Sequence, residues 1–497
     1  SLAFTYAQVD APERGLAPPG IPEVEVSDLD RCQATGHRGR GPRGSPDKPA
    51  ARAQGANGYI RRAPNPSVPS RVASLALPIT VSVLADSLLS LVSLVVVSRL
   101  SVEAVAAVGL SSYLFFLVNA SLTVFAAGLS VVASQALGAG REELAVRAVG
   151  ETLGAALAFS LVLAAFSPLW LREYLLLTSQ GNEAVVHEGY RYALARMLSL
   201  PALSLGTALS SLYRSAERPW PPAFSSVTSM AVGAAAVPAL TLEPLSLGTV
   251  GAGVAVSAAS YAGLIVYALW RPPLPVKVLP PMRLALRVLL VGLPAAAERL
   301  VASFAHNVYI NAVARGGTAA LAAHNIGLTV ENLVIQPSFA LSMAALVEAG
   351  RSVGAGDVRE ASAVVRESVK AGAIWMTLAA LVLAALSPAV GYFFTTDRRV
   401  AELTAVYLLL AAASEPGLGV SAALFGAVRG MGGVWLPLAI SSFTVVFLRA
   451  LPAQLLSASY GAVGAWATQV TDMYGRALLA LLAWRLLGAR KLSKRLV

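Results

Sequence analysis

Residues 137–145 read LGAGREELA and residues 353–361 read VGAGDVREA, two loops of one make set 216 positions apart. The same offset governs the sequence before them. LALP ends at Pro78 and VGLP at Pro294, and EAVAAVGL holds Ala106 and Ala107 where TAALAAHN holds Ala322 and Ala323. Further on, Pro201, Arg214 and Pro222 answer Pro416, Arg429 and Pro437 at an offset of 215. Apolar segments resemble one another through composition, but composition does not hold register across loops. The chain reads as a duplication.

The duplicated unit belongs in a membrane. Of 497 residues 56% are hydrophobic and 13% charged, against about a quarter charged in a soluble domain. A surface that apolar would expose patches incompatible with water. Crossing the hydrocarbon core takes roughly 20 apolar residues as a helix, and such stretches recur from about residue 74 to 488. They predict helices at 74–98, 104–137, 145–171, 188–213, 221–242 and 249–270, then at 286–313, 319–349, 362–391, 400–428, 434–456 and 461–487. The clustered prolines of RPPLPVKVLPPMR (271–283) cannot continue a helix, so the stretch reads as a linker. The expected division is an N-lobe at 71–270, a cytoplasmic linker at 271–285, a C-lobe at 286–488 and a basic tail at 489–497. Residues 1–70, rich in Pro, Gly and Arg and without apolar periodicity, read as a disordered, solvated tail, with a nucleic-acid arm as the lesser reading.

The fold class expected is all-α, with twelve transmembrane helices in two pseudo-symmetric six-helix lobes around a central cleft. An even number of spans per half gives both halves the same orientation, related by a pseudo-two-fold axis along the membrane normal. Such halves enclose a midplane site and rock about it. The net charge of +11 sits between the apolar stretches. With both termini cytoplasmic, the inner loops receive Arg61, Arg62, Arg141, Arg218, Lys277, Arg283, Arg287, Arg351, Arg359 and Arg429, and the outer side chiefly Arg172, Arg315, Arg398 and Arg399. Cys32 is the sole cysteine, which excludes an intrachain disulfide and a cysteine metal cluster.

Charged groups inside spanning helices cost about 2.5–3.5 kcal/mol on insertion scales and mark candidate sites. Asp86 lies well inside the first predicted helix. Ser93 follows seven residues later on the same face, about 10 Å away. Glu298 follows Pro294 by four residues, with Arg299 beside it but pointing elsewhere, and Tyr309 shares its face. Glu331 lies mid-helix beside Asn332 and before Gln336. Glu415 precedes Pro416 and has Leu200 at its repeat position. These four acids are the candidates for cation coupling. Ser93, Asn119, Asn307, Tyr309, Asn311, Asn332 and Gln336 are the candidate cavity residues. Other readings stay open: Asp86 as a structural carboxylate bonded to Ser90, Glu298 as a lobe-stabilising ion pair, and Asn307 and Asn311 as amide contacts between helices. Asp472 and Arg476, four apart, read as a neutralised pair. His324 reads as structural, and Glu142, Glu143 and Glu360 as solvated loop residues.

The turn RLSVEAVAAVGL and the loop SQALGAGREELA, with GLPAAAERL, GTAALAAHNIGL, GAGDVREA, FFTTDRRVAELTAVYL and ALFGAVRGMGGVWLP, resemble the multidrug and toxic compound extrusion (MATE) family, in its DinF-like archaeal and bacterial branch. The resemblance covers about residues 71–490. It implies cation-coupled export of amphipathic, often cationic compounds through a cleft between lobes. Two departures stand out. Ser93 occupies the position where many members carry an aspartate, and GAAAVPAL from Gly233 lacks the Asn and Asp that archaeal members carry near the end of the fifth helix. Asp86 is expected to substitute for the missing aspartate.

The resulting expectation is a secondary antiporter of H+ or Na+, working by alternating access. It is not an enzyme, since HExxH, GxGD and Asp-rich diphosphate motifs are absent. Desolvation disfavours the charged form of a buried carboxylate, so such an acid takes up a proton or sodium, with Glu298 or Asp86 as the sodium position. No cofactor beyond the coupling ion is expected. The partners are a small-molecule substrate and the lipid bilayer, with no nucleic acid. A monomer in the cell membrane, multi-pass, is the expected form. The alternative is a lipid-linked oligosaccharide flippase of the same superfamily.

Overall fold

The computed structural model describes residues 67–179, 181–243, 245–270 and 272–497. Residues 1–66 of the expected tail lie outside the described residues. The first half forms α1 (Val68–Val97), α2 (Val102–Gly138), α3 (Glu142–Thr178), α4 (Glu183–Met197), α5 (Leu200–Ser215), α6 (Trp220–Thr241) and α7 (Gly248–Leu269). The second forms α8 (Arg283–Ala314), α9 (Thr318–Gly354), α10 (Val358–Phe394), α11 (Arg398–Gly430) and α12 (Trp435–Thr444). A π-turn at Val445–Ala450 then leads into α13 (Leu451–Leu492). No strand occurs among the described residues.

Among the described residues ten helices are long and apolar enough to cross a membrane, and α4 with α5, bent by 47°, make an eleventh span. The stretch Trp435–Leu492 counts once by length but holds two spans. Its chain turns back at Gly461, whose φ of +58° suits glycine. The Thr471 hydroxyl reaches the Leu448 carbonyl at 2.8 Å and Arg476 Nε lies 3.4 Å from Thr444 Oγ1, as two antiparallel helices require. The result is a twelve-span bundle in two six-helix lobes.

Two predicted helices are not continuous. The span at 188–213 breaks at Leu198 and Ser199, just ahead of Pro201, where the Ser199 hydroxyl bonds Arg196 O at 2.7 Å. The helix at 434–456 carries the π-turn, just ahead of Pro452. A proline ring crowds the carbonyl four residues back and widens the turn.

The GAG loops explain how the lobes meet. Gly140 and Gly356, repeat mates, have φ of +72° and +83° and turn the chain into the next helix. Their neighbours Gly138 and Gly354 are also repeat mates. A Cβ on Gly138 would collide with the Arg351 carbonyl, and one on Gly354 with the Gln135 carbonyl. Since 351 − 135 is 216, the two contacts are images of each other: the pseudo-two-fold axis passes between α2 and α9. The lobes close around it at this end. Arg71 bridges Glu348 and Glu360 at 3.3 and 2.5 Å, and Arg351 holds Glu217 at 2.6 Å. Residues 493–497 lie across the same end. Lys494 N donates to Met431 O at 2.8 Å, Leu496 N to Gln135 Oε1 at 2.9 Å, and Arg495 Nη2 to Gly354 O at 3.1 Å.

The basic-residue inventory changes accordingly. Arg351 and Arg429, counted above as loop charges, are helical residues engaged in ion pairs. Glu360, expected in solvent, is paired with Arg71. Glu142 and Glu143 are exposed in the first turn of α3.

Candidate functional site

The C-lobe interior gathers acids from three helices. Glu331 on α9, 7% exposed, accepts Gln469 Nε2 at 2.6 Å and the Tyr407 hydroxyl on its other oxygen. Gln469 also reaches Ser414 at 3.2 Å. Its Oε1 accepts Arg449 Nη2 at 2.9 Å. Arg449, which the π-turn carries into this space, lies 4.5 Å over the Tyr309 ring and 3.9 Å from Asp472. Asp472 is fully buried and gripped by both bonds of Arg476, at 3.0 and 3.1 Å. The expected i,i+4 pair is present.

Glu415 stands beside this network without belonging to it. It is 0% exposed, and among the described residues neither of its oxygens has a hydrogen-bond partner. The charged group facing it is Glu331. Glu331, Glu415 and Asp472 bring three carboxylates, against two guanidiniums from Arg449 and Arg476. One carboxylate is in excess. A bare ionised carboxylate in such surroundings costs several kcal/mol, which a bound proton or monovalent cation removes. No group of three His, Cys, Asp or Glu suited to a metal ion occurs among the described residues.

An aromatic floor seals the network. Tyr309, fully buried rather than facing a cavity, packs edge-on to His324 at 5.8 Å, and His324 packs on Tyr407 at 5.0 Å. Among the described residues both His324 nitrogens lack partners, in keeping with a structural imidazole. Tyr309 therefore sits with Arg449 and His324 and not beside Glu298.

Glu298 has a partner other than the one sequence suggested. Arg429 of α11 meets it at 2.5 Å and Ser441 of α12 at 2.8 Å; Arg299 does not pair with it. The ion-pair reading describes its geometry. Asp86 is exposed and faces Ser226 on α6, while the Ser90 hydroxyl bonds the Asp86 backbone carbonyl, 3.1 Å away, and not its carboxylate.

Of the cavity candidates, Gln336 bridges the lobes by donating to Ser87 at 2.9 Å. Asn332 and Asn311 are exposed, and Asn119 is half-buried. Asn307 is exposed too but bonds Ser303 O of its own helix at 2.9 Å, so it does not join helices. Ser93 is buried, with no partner for its hydroxyl among the described residues. Sequence reasoning missed Arg449 and Gln469. Arg449 was findable as a charge inside FTVVFLRALPAQ; Gln469, an amide in an apolar helix, gave no comparable signal.

Two lobes of six spans, images across an axis and carrying buried acids, define a membrane transporter. The MatE family matches residues 78–238 and again residues 294–454, two copies at the 216-residue offset, and the chain belongs to this family of transporters, not enzymes. The probable multidrug resistance protein NorM of Thermotoga maritima is 24% identical over 444 residues, covering 85% of this chain and 94% of the relative. The protein of that name in Bradyrhizobium diazoefficiens is 28% identical over 453 residues, covering 84% and 93%. Among solved structures, the Vibrio cholerae MATE transporter VcmN in its bent form superposes with a TM-score of 0.76 at 20% identity, covering 86% of this chain and 99% of that one. An outward-facing multidrug resistance MATE transporter of the MOP superfamily gives 0.75 at 18%, covering 86% and 97%.

Proposed function

We propose that this protein exports small amphipathic and cationic organic compounds across the cell membrane in exchange for H+ or Na+, and that the C-lobe acids Glu331 and Glu415 hold the coupling ion. The observation that carries the reading is Glu415, sealed from solvent, unpartnered and set against a second carboxylate. The multidrug-resistance names of the relatives support the substrate class.

In this reading the end closed by Arg71, Arg351 and the C-terminal tail faces the cytoplasm, where the basic tail belongs, and the chain works as a monomer. A cation entering from outside neutralises the Glu331–Glu415 pair. Arg449, Gln469 and Tyr407 then rearrange, because Gln469 and Tyr407 hold Glu331 only through its carboxylate oxygens. A ligand shifts a two-state equilibrium only through its different affinity for the two states. The ion does so by binding carboxylates whose surroundings differ between the two openings. Asp86, exposed and in no ion pair among the described residues, offers the substrate a negative group on the N-lobe side. Glu298, already neutralised by Arg429, keeps the C-lobe folded.

Reconstituted vesicles test this directly. Efflux of a cationic dye is expected to follow an imposed proton or sodium gradient, each applied alone, and to lose that dependence in Glu415→Gln. Gradient-driven efflux that survives in both Glu415→Gln and Glu331→Gln rejects the C-lobe assignment.

A further inference from the structure

Each lobe carries an arginine and a serine at repeat positions, with an acid on the first helix of the lobe. Arg214 and Arg429 are 215 apart, as are Ser226 and Ser441. In the C-lobe both bond Glu298 and the triad is closed. The repeat position of Glu298 is Ser82, 216 residues earlier, and the N-lobe acid Asp86 stands four residues beyond it. Four residues keep the same helix face but shift the acid by about one turn, roughly 5–6 Å. The N-lobe triad is therefore an opened copy. Asp86 faces Ser226, with Arg214 and Tyr267 the charged and titratable groups further along.

Among the described residues no oxygen accepts a hydrogen bond from Arg214. Its Nη1 touches the Met343 thioether of α9, across the seam, at 3.3 Å. Sulfur of that kind accepts weakly. Its buried Nε has no partner among the described residues. The Met343 contact places Arg214 at the seam between lobes, and Asp86 is exposed. Among the described residues Asp86 and Arg214 form no ion pair, where the C-lobe joins Glu298 to Arg429.

We propose that Asp86 and Arg214 form a two-ended subsite for compact apolar zwitterions. The ammonium of such a compound sits on Asp86 and its carboxylate takes the forked face of Arg214, a geometry guanidinium favours. A plain monocation uses Asp86 alone and gains nothing from Arg214. The C-lobe copy, filled by Glu298, takes neither. This rests on the exporter reading and adds to it a substrate class and a specificity-determining residue.

The test uses the full chain in vesicles, with 2-naphthylalanine and its methyl ester as a matched zwitterion and monocation, and ethidium as a reference cation. Tracer counterflow by the wild type is expected for all three. Arg214→Gln is expected to lose naphthylalanine transport by roughly tenfold or more, the loss of one charge-assisted bidentate contact, and to keep the ester and ethidium. Ser82→Glu restores the C-lobe arrangement beside Arg214, closes the subsite and should give the same selective loss in a protein with an unchanged melting temperature. Equal losses of both probes in Arg214→Gln, or naphthylalanine transport unaffected in Ser82→Glu, overturns the subsite. Wild-type transport of ethidium without naphthylalanine also overturns it while sparing the exporter reading; transport of none of the three overturns both.

Discussion

Glu415 and Glu298 are both embedded acids, and their surroundings differ. Glu298 is bound by an arginine and a serine, with 17% of its side chain exposed against 22% for Arg429. Replacing it with alanine strands that guanidinium, so Glu298→Ala is expected to lower stability by about 3 kcal/mol, near the lower end for breaking a buried pair, as read by thermal unfolding in detergent. Glu415 has nothing to strand. Glu415→Gln removes the excess carboxylate and is expected to unfold at the same temperature as the wild type or higher, while gradient-driven efflux is lost. All four acids were legible in the sequence because a charge in an apolar run is conspicuous. Their partners were not: Arg429 lies 131 residues from Glu298 and Gln469 138 from Glu331, distances over which spacing along a helix says nothing.

The helices were legible wherever apolar length alone decides them. They were misread where the backbone leaves a continuous α-helix, at the break ahead of Pro201 in the fourth span and at the π-turn ahead of Pro452. The π-turn matters most, since it turns Arg449 onto Tyr309 and Gln469. The GAG loops were read as evidence of duplication, and the structure adds their mechanical meaning: Gly138 and Gly354 let α2 and α9 touch backbone to backbone. Gly354→Val is expected to push the lobes apart at that end, seen as a longer spin-label distance between α2 and α9 and a shifted balance between openings. The tail strap makes a companion prediction. Gln135 bonds Gly430, Lys494 and Leu496 at 2.9–3.2 Å, so Gln135→Ala is expected to free the tail, read as faster proteolysis after residue 492.

At the scale of the molecule, two lobes that meet at one end and share an axis can exchange one opening for another by rocking. Duplication supplies the symmetry, and divergence between the copies supplies the chemistry. The C-lobe carries Glu331, Glu415 and Arg449 with no acid or arginine at the repeat positions of the N-lobe, while both lobes carry an arginine at the 214/429 position and their acids differ in place by a turn. A coupled exporter needs its ion and its substrate to oppose each other, even from different lobes, through the shared equilibrium. Dye binding to the purified protein, titrated with protons and with sodium separately, measures that opposition without vesicles. A dissociation constant that weakens with one of the two cations in the wild type, and stays constant in Glu415→Gln, is the predicted result; a cation dependence that persists unchanged in Glu415→Gln contradicts the account.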